Sequence, residues 1–210
     1  RENRVHVDFN SLSPYLVQAL VATEDERFYD HSGIDFIALT RAIVKRGILG
    51  QKSAGGGSTI TQQLAKQLYS ATAKSTLERM MQKPIEWVIA VKLERFYTKE
   101  EIITMYLNYF DFLHNAVGIK TASDVYFRKN PKDLTLNEAA TLIGLCKNPS
   151  FFNPVRYPDR CVERRNIVLG QMAKAGYITE AQYKEASNEQ LALNFHRIDH
   201  KDGIATYFRD

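Results

Sequence analysis

Helix-start signals recur along this chain and constrain its fold more than any other feature. In a capping box, a Ser or Thr and a Glu three residues later bind each other's main-chain amides. Such boxes are predicted at Thr98 with Glu101 and at Thr135 with Glu138, each followed by apolar residues at helical spacing. Ser13-Pro14 and Asp35 precede two further apolar runs, and Thr179 opens a short helix. The sequence therefore predicts a mainly α fold.

The same period of about 3.6 residues continues through residues 77–96 and 164–174. Strand-like alternation is weak, and residues 190–195 are its best candidate. Residues 47–58, which are rich in glycine, and the aromatic stretch 109–115 interrupt the helical pattern. We expect both to be loops, which is where functional sites often lie.

Composition excludes several classes of protein. The 210 residues are 44% hydrophobic, which is enough for a packed core, and the net charge of +4 is too small to indicate nucleic acid by itself. The longest apolar run, at 87–91, falls far short of the roughly 20 residues that span a bilayer. Cys146 and Cys161 have no zinc-site spacing and allow one disulfide or none. We favour none, because Cys146 lies in an apolar helical run.

A first candidate site is the acidic and aromatic segment 24–33. Glu24 falls at the C-terminal end of a predicted helix, where the helix dipole disfavours a negative charge. Phe28, Tyr29 and His31 are interleaved with the acidic residues, so part of the segment should be buried. A solvated helix end is the simpler alternative, and His31 by itself is more typical of a structural residue. The pattern as a whole favours Glu24 as a general base.

A second candidate site follows the glycines at 55–57. The next helix carries a polar stripe separate from its apolar one: Thr59, Gln62, Gln63 and Lys66. A glycine-rich loop that leads into a helix N-terminus offers free amides to an anion, and Lys66 adds a positive charge. No Lys precedes Ser58-Thr59, so this is not a Walker A loop. A diphosphate group is a plausible ligand, and a flexible linker is the alternative.

Glu86 gives a third candidate, beside the apolar run 87–91. From spacing alone it is equally well a first-turn charge that complements the helix dipole or a site group. If Glu24 and Glu86 faced one cleft, the two carboxylates would suit chemistry at a glycosidic centre.

These three segments together resemble the peptidoglycan glycosyltransferases (family 51), the domain of monofunctional transglycosylases and of class A penicillin-binding proteins. The family's first motif, E-D-x-x-F-x-x-H-x-G, is met by five residues: Glu24, Asp25, Phe28, His31 and Gly33. Its second, G-x-S-T-I-T-Q-Q-x-x-K, is met from Gly56 through Ser58 to Lys66, and one residue is missing if the count starts from Gly57. Its third, R-K-x-x-E, is met at Lys83 and Glu86 but not at Gln82, where Arg is usual.

Two departures affect what the resemblance implies. The family usually has glycines where this chain has Leu113 and Asn115. The stretch between the second and third motifs is also longer than usual, so the basic residue that contacts the donor diphosphate has two candidates, Lys74 and Arg79. The change at Gln82 gives more weight to Lys83 or to one of those two.

The resemblance implies an enzyme that polymerises lipid II, with a growing lipid-linked glycan as donor. Glu24 would be the general base on the acceptor's 4-hydroxyl, and the reaction would invert MurNAc C1 and release undecaprenyl diphosphate. Glu86 would be the second catalytic residue, positioning the diphosphate directly or through an optional divalent cation, Mg²⁺ or Mn²⁺. No cofactor is required with certainty. The implied substrate-binding residues are Asp25, His31, Ser58, Thr59, Gln62, Gln63, Lys66, Lys74, Arg79 and Lys83.

The resemblance also implies a two-lobed, lysozyme-like helical fold over residues 1–195, with a large catalytic lobe and a small membrane-facing lobe near 36–53. Residues 196–210 would begin a linker to a transpeptidase domain. The parent protein would be anchored by a preceding transmembrane helix, with this domain on the outer, periplasmic face of the cytoplasmic membrane. We expect lipid II, the glycan chain and the membrane surface as partners, and no nucleic acid.

Two other functions stay open at this point. Paired carboxylates on a helical scaffold also serve lysozyme-like muramidases, which cleave the same polymer. A non-catalytic module that binds glycan strands is the second alternative. The Ser-Thr-Ile-Thr-Gln-Gln segment with Lys66 favours the transferase, because hydrolysis needs no diphosphate site.

Overall fold

The computed structural model describes residues 5–44, 57–69 and 75–197. Within these ranges the regular structure consists of α-helices and short 3-10 turns without a strand, which confirms the predicted mainly α fold. The α-helices are α1 (Pro14–Glu24), α2 (Phe36–Ile43), α3 (Ile60–Tyr69), α4 (Thr76–Phe96), α5 (Lys99–Tyr109), α6 (Ile119–Phe127), α7 (Leu136–Leu145), α8 (Pro158–Lys174) and α9 (Glu180–Asn188). None of these helices is both long enough and apolar enough to cross a membrane.

The predicted caps form at Asp35, Thr98 and Thr135, while the Ser13 hydroxyl donates to the Leu134 carbonyl. The Asp35 carboxylate accepts the amides of Ile37 and Ala38 at the start of α2. Both predicted capping boxes are closed, the one at Thr135 before α7 and the one at Thr98 before α5. Because these contacts span only two or three residues, the local sequence is sufficient to specify them.

One predicted helix is longer than expected, and one predicted strand is wrong. Helix α8 begins at Pro158, six residues before the predicted 164, because its first turns carry polar residues that hide the apolar period while Pro158 supplies a favoured first-turn residue. Residues 190–195 form no strand. Instead the amides of Asn194 and His196 donate to the carbonyls of Tyr126 and Val125 near the end of α6.

The chain divides into two compact units, Thr23–Tyr106 and a second made of Arg1–Ala22 with Leu107–Asp210. In the first unit α3 packs against α4. In the second, α8 packs against α7 and α9, and Cys146 and Cys161 are buried free thiols. Of the predicted membrane-facing lobe near 36–53, residues 45–53 lie outside the described ranges, as does most of the predicted linker 196–210.

The loop between α5 and α6 keeps a conformation suited to glycine without having glycine. Leu113, His114 and Asn115 have φ values of 66°, 52° and 64°. The left-handed conformation costs an L-residue roughly 1–2 kcal/mol. The turn is held by amide–carbonyl bonds between Phe112 and Ala116 and between Ala116 and Leu113. Leu113 and Asn115 therefore adopt the left-handed conformation that glycine favours, although neither residue is glycine.

Candidate active site

Asp25 joins the first motif to the start of α3. Its carboxylate accepts the Ile60 amide at 3.0 Å, and both of its oxygens lie 3.0 Å from His31 Nε2. The Gly33 amide donates to His31 Nδ1 at 3.2 Å, so Nδ1 is the acceptor and Nε2 carries the proton that faces Asp25. These contacts use both the carboxylate and the imidazole to hold the segment 25–33 against α3.

Thr59 and Gln62 form the cap of α3. The Thr59 amide donates to Gln62 Oε1 at 3.1 Å, and Thr59 Oγ1 accepts the Gln62 amide at 3.1 Å. Thr59 Oγ1 also donates to the Gly33 carbonyl at 2.7 Å. Both side chains are buried, and these hydrogen bonds join them to groups of the protein itself. Their geometry is that of residues that shape the site rather than residues open to a ligand.

Glu24, the predicted base, is the last residue of α1 and is half-buried. Gln63 Nε2 donates to Glu24 Oε2 at 3.0 Å. The Tyr106 hydroxyl, on α5, donates to Gln63 Oε1 at 3.2 Å. The sequence pointed to Glu24 and Gln63 but not to Tyr106, which follows the apolar period of α5 and looks like an ordinary core residue.

Lys83 and Glu86 lie one turn apart on α4 and bring the second and third motifs together. Lys83 Nζ is 2.8 Å from Glu86 Oε2 and 3.4 Å from Ser58 Oγ. The Glu86 side chain is only 4% exposed, whereas that of Lys83 is 40% exposed. Glu86 and Ser58 therefore hold the ammonium group on one side, and its other side is exposed. This arrangement allows Lys83 to bind an anion.

Among the residues that the structure describes, Glu86 has no companion ligands for a metal ion. Across the described ranges, no group of three or more His, Cys, Asp or Glu side chains could hold a metal ion. The Lys83 ammonium stands beside Glu86 where a bound cation would have to be. The carboxylate predicted as an optional metal ligand thus already has its positive partner, and no step below uses a metal.

Of the other predicted basic residues, Lys66 is exposed on α3. Lys74 and the side chain of Arg79 lie outside the part of the chain that the structure describes. Glu24, Glu86 and the rest of the described candidates all belong to the unit Thr23–Tyr106.

A second buried pair supports the first motif, and sequence reasoning missed it. Lys99 Nζ lies 2.8 Å from the Glu94 carboxylate, donates to the His31 carbonyl at 2.6 Å, and stands 4.3 Å from the centre of the Phe28 ring. Glu94 Oε1 also accepts the Thr61 hydroxyl at 2.6 Å. The ends of α4 and α5 therefore hold both the 28–33 segment and α3. In sequence, Glu94 and Lys99 look like ordinary charged residues near helix ends.

Comparison with known proteins identifies the class of protein that carries this site. The transglycosylase family model matches residues 1–173, so the chain belongs to that family and the predicted family is confirmed. A crystal structure of penicillin-binding protein 1A from Haemophilus influenzae aligns with 97% of this chain and 21% of its own, with a TM-score of 0.52 and 21% identity, which supports the fold.

Curated relatives are considerably more similar in sequence. Penicillin-binding protein 1A of Aquifex aeolicus is 40% identical over the whole chain, and its namesake from Escherichia coli is 40% identical over 93% of it. Penicillin-binding protein 1F of Bacillus subtilis is 42% identical over 92% of the chain. The chain spans only about a quarter of these relatives, at 28%, 22% and 26% of their lengths.

Proposed function

We propose that this chain is a peptidoglycan glycosyltransferase that polymerises lipid II into β-1,4-linked glycan strands. The observation that carries the proposal is the contact between Gln63 and Glu24, in which the amide donates to a carboxylate at 3.0 Å. A carboxylate held as a hydrogen-bond acceptor, in a transglycosylase-family chain, is suited to removing a proton from a sugar hydroxyl.

In the proposed reaction, Glu24 removes the proton from the 4-hydroxyl of the acceptor lipid II. The freed oxygen attacks the anomeric carbon of the donor MurNAc from the face opposite the diphosphate. One C–O bond forms as the bond to the diphosphate breaks, so the configuration at C1 inverts. Undecaprenyl diphosphate departs with the electron pair of the broken bond.

The leaving diphosphate needs positive charge, and Lys83 is the described cation best arranged to supply it. Glu86 and Ser58 hold its ammonium group while the side chain stays 40% exposed. A fixed cation aimed at developing negative charge is a strong contributor to catalysis. Lys66 would add positive charge, and Glu86 would act by orienting Lys83.

A lipid-linked substrate requires contact with a membrane surface, and α2 suits that contact. Phe36, Ile37 and Ile43 are 65%, 54% and 62% exposed, and the basic Arg41 lies on the same helix. Exposed apolar residues beside basic ones are typical of helices that lie in a membrane interface. Flotation with anionic lipid vesicles tests this assignment, and failure of the chain to float would contradict it.

The wider setting is proposed from the relatives, which are named as penicillin-binding proteins. We propose that the domain acts at the outer face of the cytoplasmic membrane and is joined to a transpeptidase domain in its parent protein. In this proposal the glycosyltransferase domain covers residues 1–195, and the linker to the transpeptidase domain begins at residue 196.

The experiment is incubation of the purified chain in detergent with labelled lipid II or with pre-made glycan strands. The proposal predicts polymer from lipid II, one undecaprenyl diphosphate released per bond, and intact pre-made strands. Shortening of the strands would identify a muramidase instead. Binding of strands by the folded chain without either reaction would identify a glycan-binding module.

A further inference from the structure

We infer that Tyr106 is a positioning residue for the proposed base, acting on Glu24 through Gln63. The inference rests on the proposed function and adds a residue that the sequence motifs leave unassigned. Its basis is one continuous chain of contacts. The Tyr106 hydroxyl meets Gln63 Oε1 at 3.2 Å, and Gln63 Nε2 meets Glu24 Oε2 at 3.0 Å.

The hydrogen-bond donors and acceptors in this chain of contacts follow one order, from Tyr106 to Glu24. An ionised carboxylate can only accept hydrogen bonds, so Gln63 must turn its NH₂ group toward Glu24. The amide oxygen then faces Tyr106, whose hydroxyl must donate. In this arrangement each donor faces an acceptor, from the Tyr106 hydroxyl through the Gln63 amide to the Glu24 carboxylate.

Burial makes the hydroxyl effective as an anchor. Tyr106 is fully buried on α5, so its ring cannot swing away from Gln63 without opening the core. Without the hydroxyl, the amide of Gln63 would lose the donor that favours its present orientation. Rotation of the amide would turn its oxygen toward the carboxylate and displace the base. Tyr106 thus fixes the base without touching the substrate.

Tyr126 provides a matched control within the same chain. It is also fully buried, and its hydroxyl donates to the Phe112 carbonyl at 2.7 Å. It lies in the other unit, with none of the candidate site residues. Tyr106→Phe and Tyr126→Phe each remove one buried hydroxyl donor and no ring, so both should lower thermal stability by similar amounts.

The test is a double-mutant cycle in the lipid II polymerisation assay. Tyr106→Phe should lower kcat about three- to tenfold, the range expected for one hydrogen bond, and leave KM unchanged. In a Gln63→Ala background the same change should have no further effect, because Tyr106 acts through Gln63. Tyr126→Phe should leave kcat unchanged in both backgrounds. Additive losses from Tyr106→Phe and Gln63→Ala, or unchanged kcat in Tyr106→Phe, would overturn the inference.

A spectroscopic readout separates this inference from the proposed function. The side-chain amide resonances of Gln63, assigned by comparison with Gln63→Ala, should shift in Tyr106→Phe and stay in place in Tyr126→Phe. Unmoved Gln63 resonances in Tyr106→Phe would overturn the inference whatever the activity. Absence of polymer from the wild-type chain alongside a shifted Gln63 amide would overturn the proposed function and leave the Tyr106–Gln63 contact supported.

Discussion

The two units of this molecule use buried polar side chains differently. In Thr23–Tyr106, three buried carboxylates pair with basic side chains, namely Asp25 with His31, Glu86 with Lys83 and Glu94 with Lys99, although Asp35 and Thr59 bind the main chain. In the other unit, Arg165 donates to the carbonyls of Ser187 and Glu189, and further buried hydroxyls also bind the main chain. Those hydroxyls belong to Ser13, Ser123 and Tyr126.

This difference distinguishes side chains that can take part in chemistry from side chains that stabilise the fold. A side chain that satisfies a main-chain carbonyl holds two segments together, and its loss leaves a buried acceptor unpaired. A pair of side chains with one partly exposed member, such as Lys83, can bind a ligand without any local unfolding. We therefore expect loss of the Lys83 charge to change activity and loss of the buried Arg165 guanidinium to change stability.

The largest effect expected from this comparison follows Lys83→Gln. The amide can still donate to Glu86 and Ser58, so the fold should be kept, but the positive charge is lost. Polymerisation should fall about 100- to 1000-fold, the usual cost of removing one preorganised electrostatic contact in an active site. Lys92→Gln, at an exposed position of the same helix, is the control and should retain full activity. Retained activity in Lys83→Gln would remove Lys83 as the diphosphate's partner.

A smaller effect, on stability instead of activity, is expected for Arg165→Leu. Arg165 is 1% exposed, and burial lowers the pKa of its guanidinium, yet it donates to two carbonyls at the end of α9. Losing those donors should lower the free energy of unfolding by about 2–3 kcal/mol in urea titrations. Activity per folded molecule should stay at the wild-type level.

Arg160→Leu gives the matched comparison for that measurement. Arg160 is exposed and stacks 4.5 Å from the Phe151 ring and 4.6 Å from the Tyr157 ring. Its replacement should cost less than about 1 kcal/mol. Equal losses for Arg160→Leu and Arg165→Leu would contradict the structural role assigned to the buried guanidinium.

The smallest effect concerns the dependence of stability on pH. Burial raises the pKa of the Cys161 thiol from 9.0 to about 12, and the nearby Arg165 opposes this only in part. The thiol ionises in the unfolded chain near pH 9 but stays protonated in the folded one. Its contribution to stability is thus present below pH 9 and lost as the pH rises from 9 to about 12.

Cys161→Ala should therefore flatten the alkaline fall in stability by up to about 1.4 kcal/mol per pH unit. Urea titrations at pH 8, 9 and 10 of the wild type and the variant measure the difference in slope. Parallel slopes would show that Cys161 ionises alike in the folded and unfolded chains.

Much of the fold could be predicted from the sequence because helix starts are local. The boxes at Thr98 and Thr135 and the cap at Asp35 each involve residues within three positions. The start of α8 could not be placed, because its apolar period is absent from the first turns and only Pro158 marks it. The motifs likewise predicted Glu24, Gln63, Lys83 and Glu86, all of which lie in one unit.

What the sequence could not supply is the long-range support of the site. The Tyr106–Gln63 contact joins residues 43 positions apart, and the Lys99–His31 contact joins residues 68 apart. Neither pair has a local signature. For Thr59 and Gln62 the sequence pattern is ambiguous, because a polar stripe for ligand binding and a buried helix cap have the same pattern in sequence.

In the proposed reaction, Glu24 removes the proton that makes the acceptor oxygen a nucleophile. The most direct test measures lipid II polymerisation and thermal unfolding for Glu24→Gln beside Glu26→Gln, an exposed carboxylate two residues away. Glu24→Gln should lose about 100- to 10,000-fold in rate, the range for a general base, with an unchanged melting temperature. Glu26→Gln should match the wild type in both. Substantial polymerisation by a folded Glu24→Gln chain would contradict the claim.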